Sequence, residues 1–325
     1  MQTVCASKIS LHSVQSQNNQ KTGVKMKNPG WVDLQVNGHN GVDFSNPLLT
    51  EDMVIKAAEE LFAAGTEIFL PTIITGPMEL YRRNIPIIRK AVESHGLLDR
   101  IPGVHLEGPF ISNTPGAVGA HNPDWVQIPS AAAVDELNTE GYIKIITIGA
   151  DAQNAPEAIA RARELGIHIS VGHHMANYAQ VRAAADAGAE LLTHLGNGCP
   201  NLLDRHNNPV WAGLAENRLT AMIIADGHHL PGELVKIFIQ TKGTDRVIIT
   251  SDQVEATGYK PGRYHVLGND AVLEPNGKLH NPEKKCLVGS ASTIGMCMNF
   301  LESLETWTED ELVQLGRTNA LKLLQ

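Results

Sequence analysis

Four polar residues stand where apolar runs end: Glu107 in GVHLEGPF, His173 in SVGHH, His194 in LLTHLGN and Asp252 in IITSDQ. One carboxylate and two imidazoles suffice as protein ligands for a catalytic Zn2+ that keeps a position open for water. Glu107, His173 and His194 are therefore the candidate metal ligands, and Asp252 is left for proton transfer. A single histidine at a strand end is ordinarily a satisfied loop residue; the weight rests on the four together. His105 alternates with Glu107 and shares its face of an extended segment, as a rival ligand or as a support for the carboxylate. His174 neighbours His173 and points to the other side if the strand persists, which makes it the weaker candidate. Gln35 and Asn37 alternate along DLQVNGHNG, residues 33–41, and so share one face of a short buried strand running into a glycine-rich loop. Neutral amides are poor transition-metal ligands beside imidazole or carboxylate.

These residues can meet only if the fold gathers their strand ends. A unit recurs along the chain: an amphipathic helix, a glycine just past its end, then a short apolar run. MVIKAAEELFAAG sets Val54, Ile55, Ala58, Leu61 and Phe62 on one stripe, with Gly65 suited to the left-handed position that ends a helix. The unit returns in APEAIARARELG, ending at Gly166, and in NYAQVRAAADAG, ending at Gly188. Apolar runs predict strands near 31–37, 67–74, 103–107, 143–149, 168–173, 191–195, 220–225 and 246–251. Eight strands alternating with helices predict an α/β fold of the (β/α)8 barrel type, whose active site lies at the C-terminal strand ends. A doubly wound sheet is the competitor, but no G-x-G-x-x-G opens a helix after the first strand. Two long connections interrupt the pattern. Residues 109–130 form a loop of functional length, and 259–287, with PNGK at 275–278, reads as a hairpin insertion.

With 42% hydrophobic residues the chain has ample material for a core. Its net charge of −9, without a basic cluster, argues against nucleic acid or an anionic membrane as partner. No apolar run approaches the length of a membrane span, and the leader at 1–28 is polar and without a signal-peptide core, so a cytoplasmic protein with a loosely ordered start is expected. The catalytic unit is expected over 29–325. Cysteines 5, 199, 286 and 297 show no C-x-x-C pairing and read as free thiols.

GVHLEGPF, VGHH, THLGN, ADGHH and SDQ, in this order, resemble the N-acetylglucosamine-6-phosphate deacetylases of the amidohydrolase superfamily. The likeness runs from about Pro29 to the C-terminus, and HLEGPF with THLxNxxP is its specific part. It implies a TIM-like barrel of the metal-dependent amidohydrolase type that hydrolyses the acetamide of a phosphorylated amino sugar. One divalent ion per subunit is implied on Glu107, His173 and His194: Zn2+ first, with Fe2+, Co2+ and Mn2+ as alternatives. Some members carry His-x-His on the first strand; others carry Gln-x-Asn and rely on a single metal, so Gln35 and Asn37 stand in place of a second metal site. Asp252 is implied as the proton carrier, and His121 in VGAHNP matches the histidine that polarises the carbonyl. Asn197 and Gly198 match donors to the sugar phosphate, and His229 matches a substrate-binding histidine, with His228 as its rival. Arg205 matches the phosphate-binding arginine, which in relatives reaches into the neighbouring subunit's site and so implies a homodimer.

The chain also departs from the family pattern. The arginine is commonly followed by Glu-Pro-Gly, whereas residues 205–211 read RHNNPVW. Residues 196–199 read Gly-Asn-Gly-Cys where an aromatic residue and Ala-Met are more usual. Relatives usually build a small β-sandwich from both termini; here it is expected to be absent or reduced, with the chain stopping in the last barrel helix. Two alternatives remain open: an amidohydrolase acting on a different N-acyl amine or amino sugar, and a non-catalytic sugar-phosphate-binding protein.

Overall fold

A computed structural model of the protein describes residues 28–325, so the expected polar leader, apart from Asn28, lies outside the described residues. Eight parallel strands follow one another around a single sheet: β1 (Trp31–Val36), β2 (Thr66–Ile74), β3 (Val104–Glu107), β4 (Ile143–Ile148), β5 (His168–Val171), β6 (Leu191–Leu192), β7 (Thr220–Ile224) and β8 (Val247–Thr250). Between and after them run α1 (Glu51–Ala63), α2 (Met78–Ser94), α3 (Ala131–Leu137), α4 (Ala155–Glu164), α5 (Tyr178–Asp186), α6 (Pro209–Ala215), α7 (Gly232–Lys242) and α8 (Ile294–Ser303). The ends of the sheet meet: Asp252 N donates to the Gln35 carbonyl at 3.1 Å and Asn37 N to the Gln253 carbonyl at 2.8 Å. This is the expected (β/α)8 barrel. Strands covered by helices outside and side chains inside are buried on both faces, which explains their near-continuous apolar runs. The three repeated units also form as read, with Gly65, Gly166 and Gly188 at positive φ just past α1, α4 and α5.

The barrel interior is layered. At the bottom, Val32, Leu34, Leu70, Ile145, Leu191, Met222 and Ile248 make an apolar floor. A helical segment, Glu309–Val313, Gln314–Thr318 and Asn319–Leu324, plugs that end with Ala320, Leu321, Leu323 and Leu324. The expectation that the chain stops in the last barrel helix is corrected here: α8 is the eighth barrel helix, and Thr308 and Glu311 form a capping box that starts a new one. Above the floor lies a polar layer. His105 Nδ1 meets the Leu34 carbonyl at 3.0 Å, so that nitrogen carries the proton and Nε2 accepts from Thr147 at 2.9 Å. Thr193 must then donate to Thr147 at 2.8 Å, and Ser170 to Thr193 at 2.6 Å. This one-directional chain fixes β3 against β1 and β4 directly below Glu107.

Residues 109–130 are irregular apart from one turn at Pro123–Trp125. Residues 259–287 form more than the expected hairpin: a four-stranded antiparallel sheet, β9 (Gly262–Val266), β10 (Asn269–Leu273), β11 (Leu279–Asn281) and β12 (Cys286–Leu287). PNGK does turn β10 into β11. The first turn is instead made by Leu267 and Gly268, both at positive φ. The sheet has its own apolar core of Val254, Ala256, Val266, Ala271, Leu273, Leu279 and Val288.

Candidate metal centre and active site

Glu107 ends β3, and His173, His194 and Asp252 each stand two positions past the ends of β5, β6 and β8. The latter three adopt left-handed backbones, φ 50°, 29° and 52°, which are uncommon for residues with a Cβ. Strain of this kind persists only where the surroundings enforce it, and it is enforced here where side chains are turned into the barrel mouth. Glu107 Oε1 lies 3.1 Å from His173 Nε2 and 2.9 Å from His194 Nε2, and the two nitrogens are 3.0 Å apart. Among the described residues these three form the one group of potential ligands close enough to share an ion.

Hydrogen bonding assigns the free nitrogen of His173, and position alone assigns that of His194, whose Nε2 faces Glu107. His173 Nδ1 donates to the Ala117 carbonyl at 2.8 Å, which leaves a lone pair on Nε2. His194 Nδ1 has no partner. Lone pairs and a carboxylate oxygen converging at about 3 Å repel one another unless a cation lies between them, so the donor set fits a divalent ion. His105 is not part of this set; it is the support one layer down, and burial pushes its pKa down to about 4. His174 turns away from the group, its Nδ1 accepting from Ala176 N at 3.0 Å.

His121 reaches the centre from the 109–130 loop. Its Nδ1 accepts the Thr75 N–H at 3.3 Å, so the proton of the neutral ring sits on Nε2, 3.3 Å from His173 Nε2 and 3.7 Å from Glu107 Oε2. Burial, reinforced by the neighbouring His173, pushes its pKa down to about 3 and keeps the ring neutral. His121 therefore presents an N–H donor to the site, unlike His173. Gln35 Nε2 bridges Glu107 Oε1 and Asp252 Oδ1, each at 2.9 Å, and Asn37 Nδ2 donates to Asp252 Oδ1 at 2.7 Å. Both amides thus act as hydrogen-bond donors to carboxylates. Burial and the charge of Glu107 push Asp252 up to about 7, although the Asn37 hydrogen bond opposes them.

All of these side chains but that of Gln35 line a cavity of about 480 Å3 together with Asn197, Gly198, Cys199 and His229. Of the two neighbouring histidines only His229 borders it; His228 Nε2 lies 3.0 Å from the Asn276 carbonyl, on the β10–β11 turn. His229 Nδ1 is held by Asp226 Oδ2 at 2.8 Å. Burial alone would lower the His229 pKa, but its bond to Asp226 raises it. Asn197 Nδ2 donates to the His194 carbonyl at 3.3 Å. Arg205 is exposed and outside this cavity. Sequence reading missed Asp226, whose signal was its place three residues before His229. It also missed Lys284 and Lys285, the one Lys-Lys pair in the sequence. Asn269, another omission, donates from Nδ2 to the Ala120 carbonyl at 2.8 Å, fastening β10 beside His121.

A model of the amidohydrolase family matches residues 26–306. The chain is 31% identical over 313 residues to an N-acetylglucosamine-6-phosphate deacetylase of Danio rerio, covering 91% of this chain and 74% of that one. It is 27% identical over 299 residues to an N-acetylgalactosamine-6-phosphate deacetylase of Escherichia coli O157:H7, covering 91% and 77%. The crystal structure of N-acetyl-D-glucosamine-6-phosphate deacetylase from Mycobacterium smegmatis superposes with a TM-score of 0.83 at 29% identity, over 91% of this chain and 78% of that one. With a barrel, a candidate ligand triad and relatives of this kind, the chain belongs to the amidohydrolase family, among the N-acetylglucosamine-6-phosphate deacetylases.

Proposed function

We propose that the protein hydrolyses the N-acetyl group of N-acetylglucosamine-6-phosphate, giving glucosamine-6-phosphate and acetate. One observation carries this reading: three acceptors suited to a divalent ion, a carboxylate held near neutral pKa and a neutral imidazole N–H all face one cavity. Glu107, His173 and His194 hold the ion, with Zn2+ the first candidate and Fe2+, Co2+ and Mn2+ the alternatives. The ion supplies Lewis acidity, making water acidic enough to act as a nucleophile near neutral pH.

The chain's own groups do the rest. Asp252 accepts a proton from the attacking water and passes it to the amide nitrogen as the C–N bond breaks, so the amine leaves neutral. Gln35 and Asn37 occupy one oxygen of Asp252 and orient the other. His121 donates through Nε2 to the acetyl oxygen as negative charge gathers there. His229, oriented by Asp226, and Asn197 and Gly198 hold the sugar. Arg205, exposed in its own subunit, serves a neighbour's site in a homodimer. The expected result is acetate release from N-acetylglucosamine-6-phosphate by protein loaded with one ion per chain, and loss of both ion and turnover in Glu107→Gln. Tight binding of two ions per chain would contradict the role given to Gln35 and Asn37. A second reading, the galactosamine epimer as substrate, is favoured by the likeness to the Escherichia coli enzyme, and turnover of that epimer alone would establish it.

A further inference from the structure

The charged groups lining the cavity differ in burial: its carboxylates are buried and its lysines are exposed. Its inner end holds Glu107 and Asp252 among four imidazoles, and its lining includes only two lysines and no arginine: Lys284 and Lys285, between β11 and β12. Asn281 Oδ1 winds that connection by accepting the N–H groups of Glu283 and Lys284, each at 3.0 Å. The Lys284 ammonium is held by Asn269 Oδ1 at 2.6 Å. Lys285 has a left-handed backbone, φ 54°, and its ammonium has no hydrogen bond or ion pair with any described residue.

Resting on the deacetylase reading, we propose that Lys285, assisted by Lys284, binds the phosphate of the substrate from within the same subunit and sets the preference for phosphorylated amino sugars over neutral ones. The acyl group must reach the inner end, where His121 and Asp252 stand. A dianion there would face two carboxylates, so the phosphate is placed toward the lysines. The arginine expected for this task borders no part of this subunit's cavity. An ammonium carries three N–H donors, so Lys284 keeps two after serving Asn269. Lys285 keeps all three.

The test compares wild type with Lys285→Gly and Lys285→Gln. Glycine accepts the left-handed backbone, so the connection keeps its course while the whole side chain with its ammonium is removed, and glutamine keeps part of the stem without the charge. Kinetics are measured on N-acetylglucosamine-6-phosphate and on N-acetylglucosamine at low and high salt. The expected result is a KM for the phosphorylated substrate raised about ten- to a hundredfold, with kcat changed far less. The preference for phosphorylated over neutral substrate falls by the same factor, and the salt dependence of KM flattens. Lys285→Arg restores part of the preference. Variants that keep the wild-type preference overturn the inference while leaving the deacetylase reading in place. If wild type turns over neither substrate, that reading fails, and titration of the zinc-loaded protein with inorganic phosphate decides the lysine separately. Binding by wild type and its loss in Lys285→Gly upholds the inference, and equal affinity overturns it.

Discussion

Two imidazoles in this site, His173 and His121, have their parts set by what their other nitrogens touch. The Ala117 carbonyl makes His173 an acceptor at the centre, and the Thr75 N–H makes His121 a donor. His121→Ala should lower kcat about 100- to 1000-fold, the usual cost of one oxyanion donor, while bound metal stays at one equivalent. Asp252 must be ionised to accept a proton, and it is protonated below its pKa. Since burial and Glu107 push that pKa up to about 7, kcat/KM should fall as pH drops through a limb at or below about 7, because an ion beside Glu107 opposes the rise. Asp252→Asn should lose about 100- to 10,000-fold in rate and abolish that limb in a pH–rate profile. Gly198 acts on the ligands by having no side chain. Its φ is 62°, and a Cβ there would stand 3.1 Å from the His194 ring and 3.2 Å from that of His173. Gly198→Ala should therefore weaken metal binding by roughly tenfold or more in a chelator competition, because both ligands are displaced at once.

Elements place these residues with different degrees of independence from the rest of the chain. The eight strands and their helices were legible because burial on both faces produces apolar runs, and glycine marks the helix ends. The convergence of Glu107, His173 and His194 was legible because barrel strands aim their C-terminal ends at one mouth. The four-stranded sheet was legible only at PNGK; its first turn sets Leu267 at positive φ, which leucine does not advertise. A helix is expected at the chain's end, but its place as a plug was not legible: Leu321, Leu323 and Leu324 meet the end of a barrel rather than the side of a neighbouring helix. Two residues anchor the plug: Arg317 pairs with Glu67 and the Gly30 carbonyl, and Asn319 Nδ2 donates to the Thr244 and Val247 carbonyls, each at 2.7 Å. Asn319→Ala leaves those carbonyls without that donor and should cost about 1–3 kcal/mol, seen as a lower urea midpoint at unchanged slope.

At the scale of the whole molecule, no helix among the described residues is long and apolar enough to cross a membrane. Beside Arg205 stand two large apolar side chains, Leu202 at 92% and Trp211 at 53% exposure. If the arginine completes a neighbour's site, Arg205→Gln and Asp252→Asn proteins, each impaired alone, should regain activity when their subunits are mixed and exchanged. Unchanged activity on mixing would confine Arg205 to its own subunit. The fastening of Asn269 to Ala120 joins segments 149 residues apart in sequence, one carrying His121, the proposed oxyanion donor, and the other the lysine-bearing sheet. Recombination that exchanges only the sheet between relatives trades one end of that bond and keeps the other. Under the proposed roles, substrate choice thus rests on two distant segments, 117–121 and 262–287, coupled through this one bond.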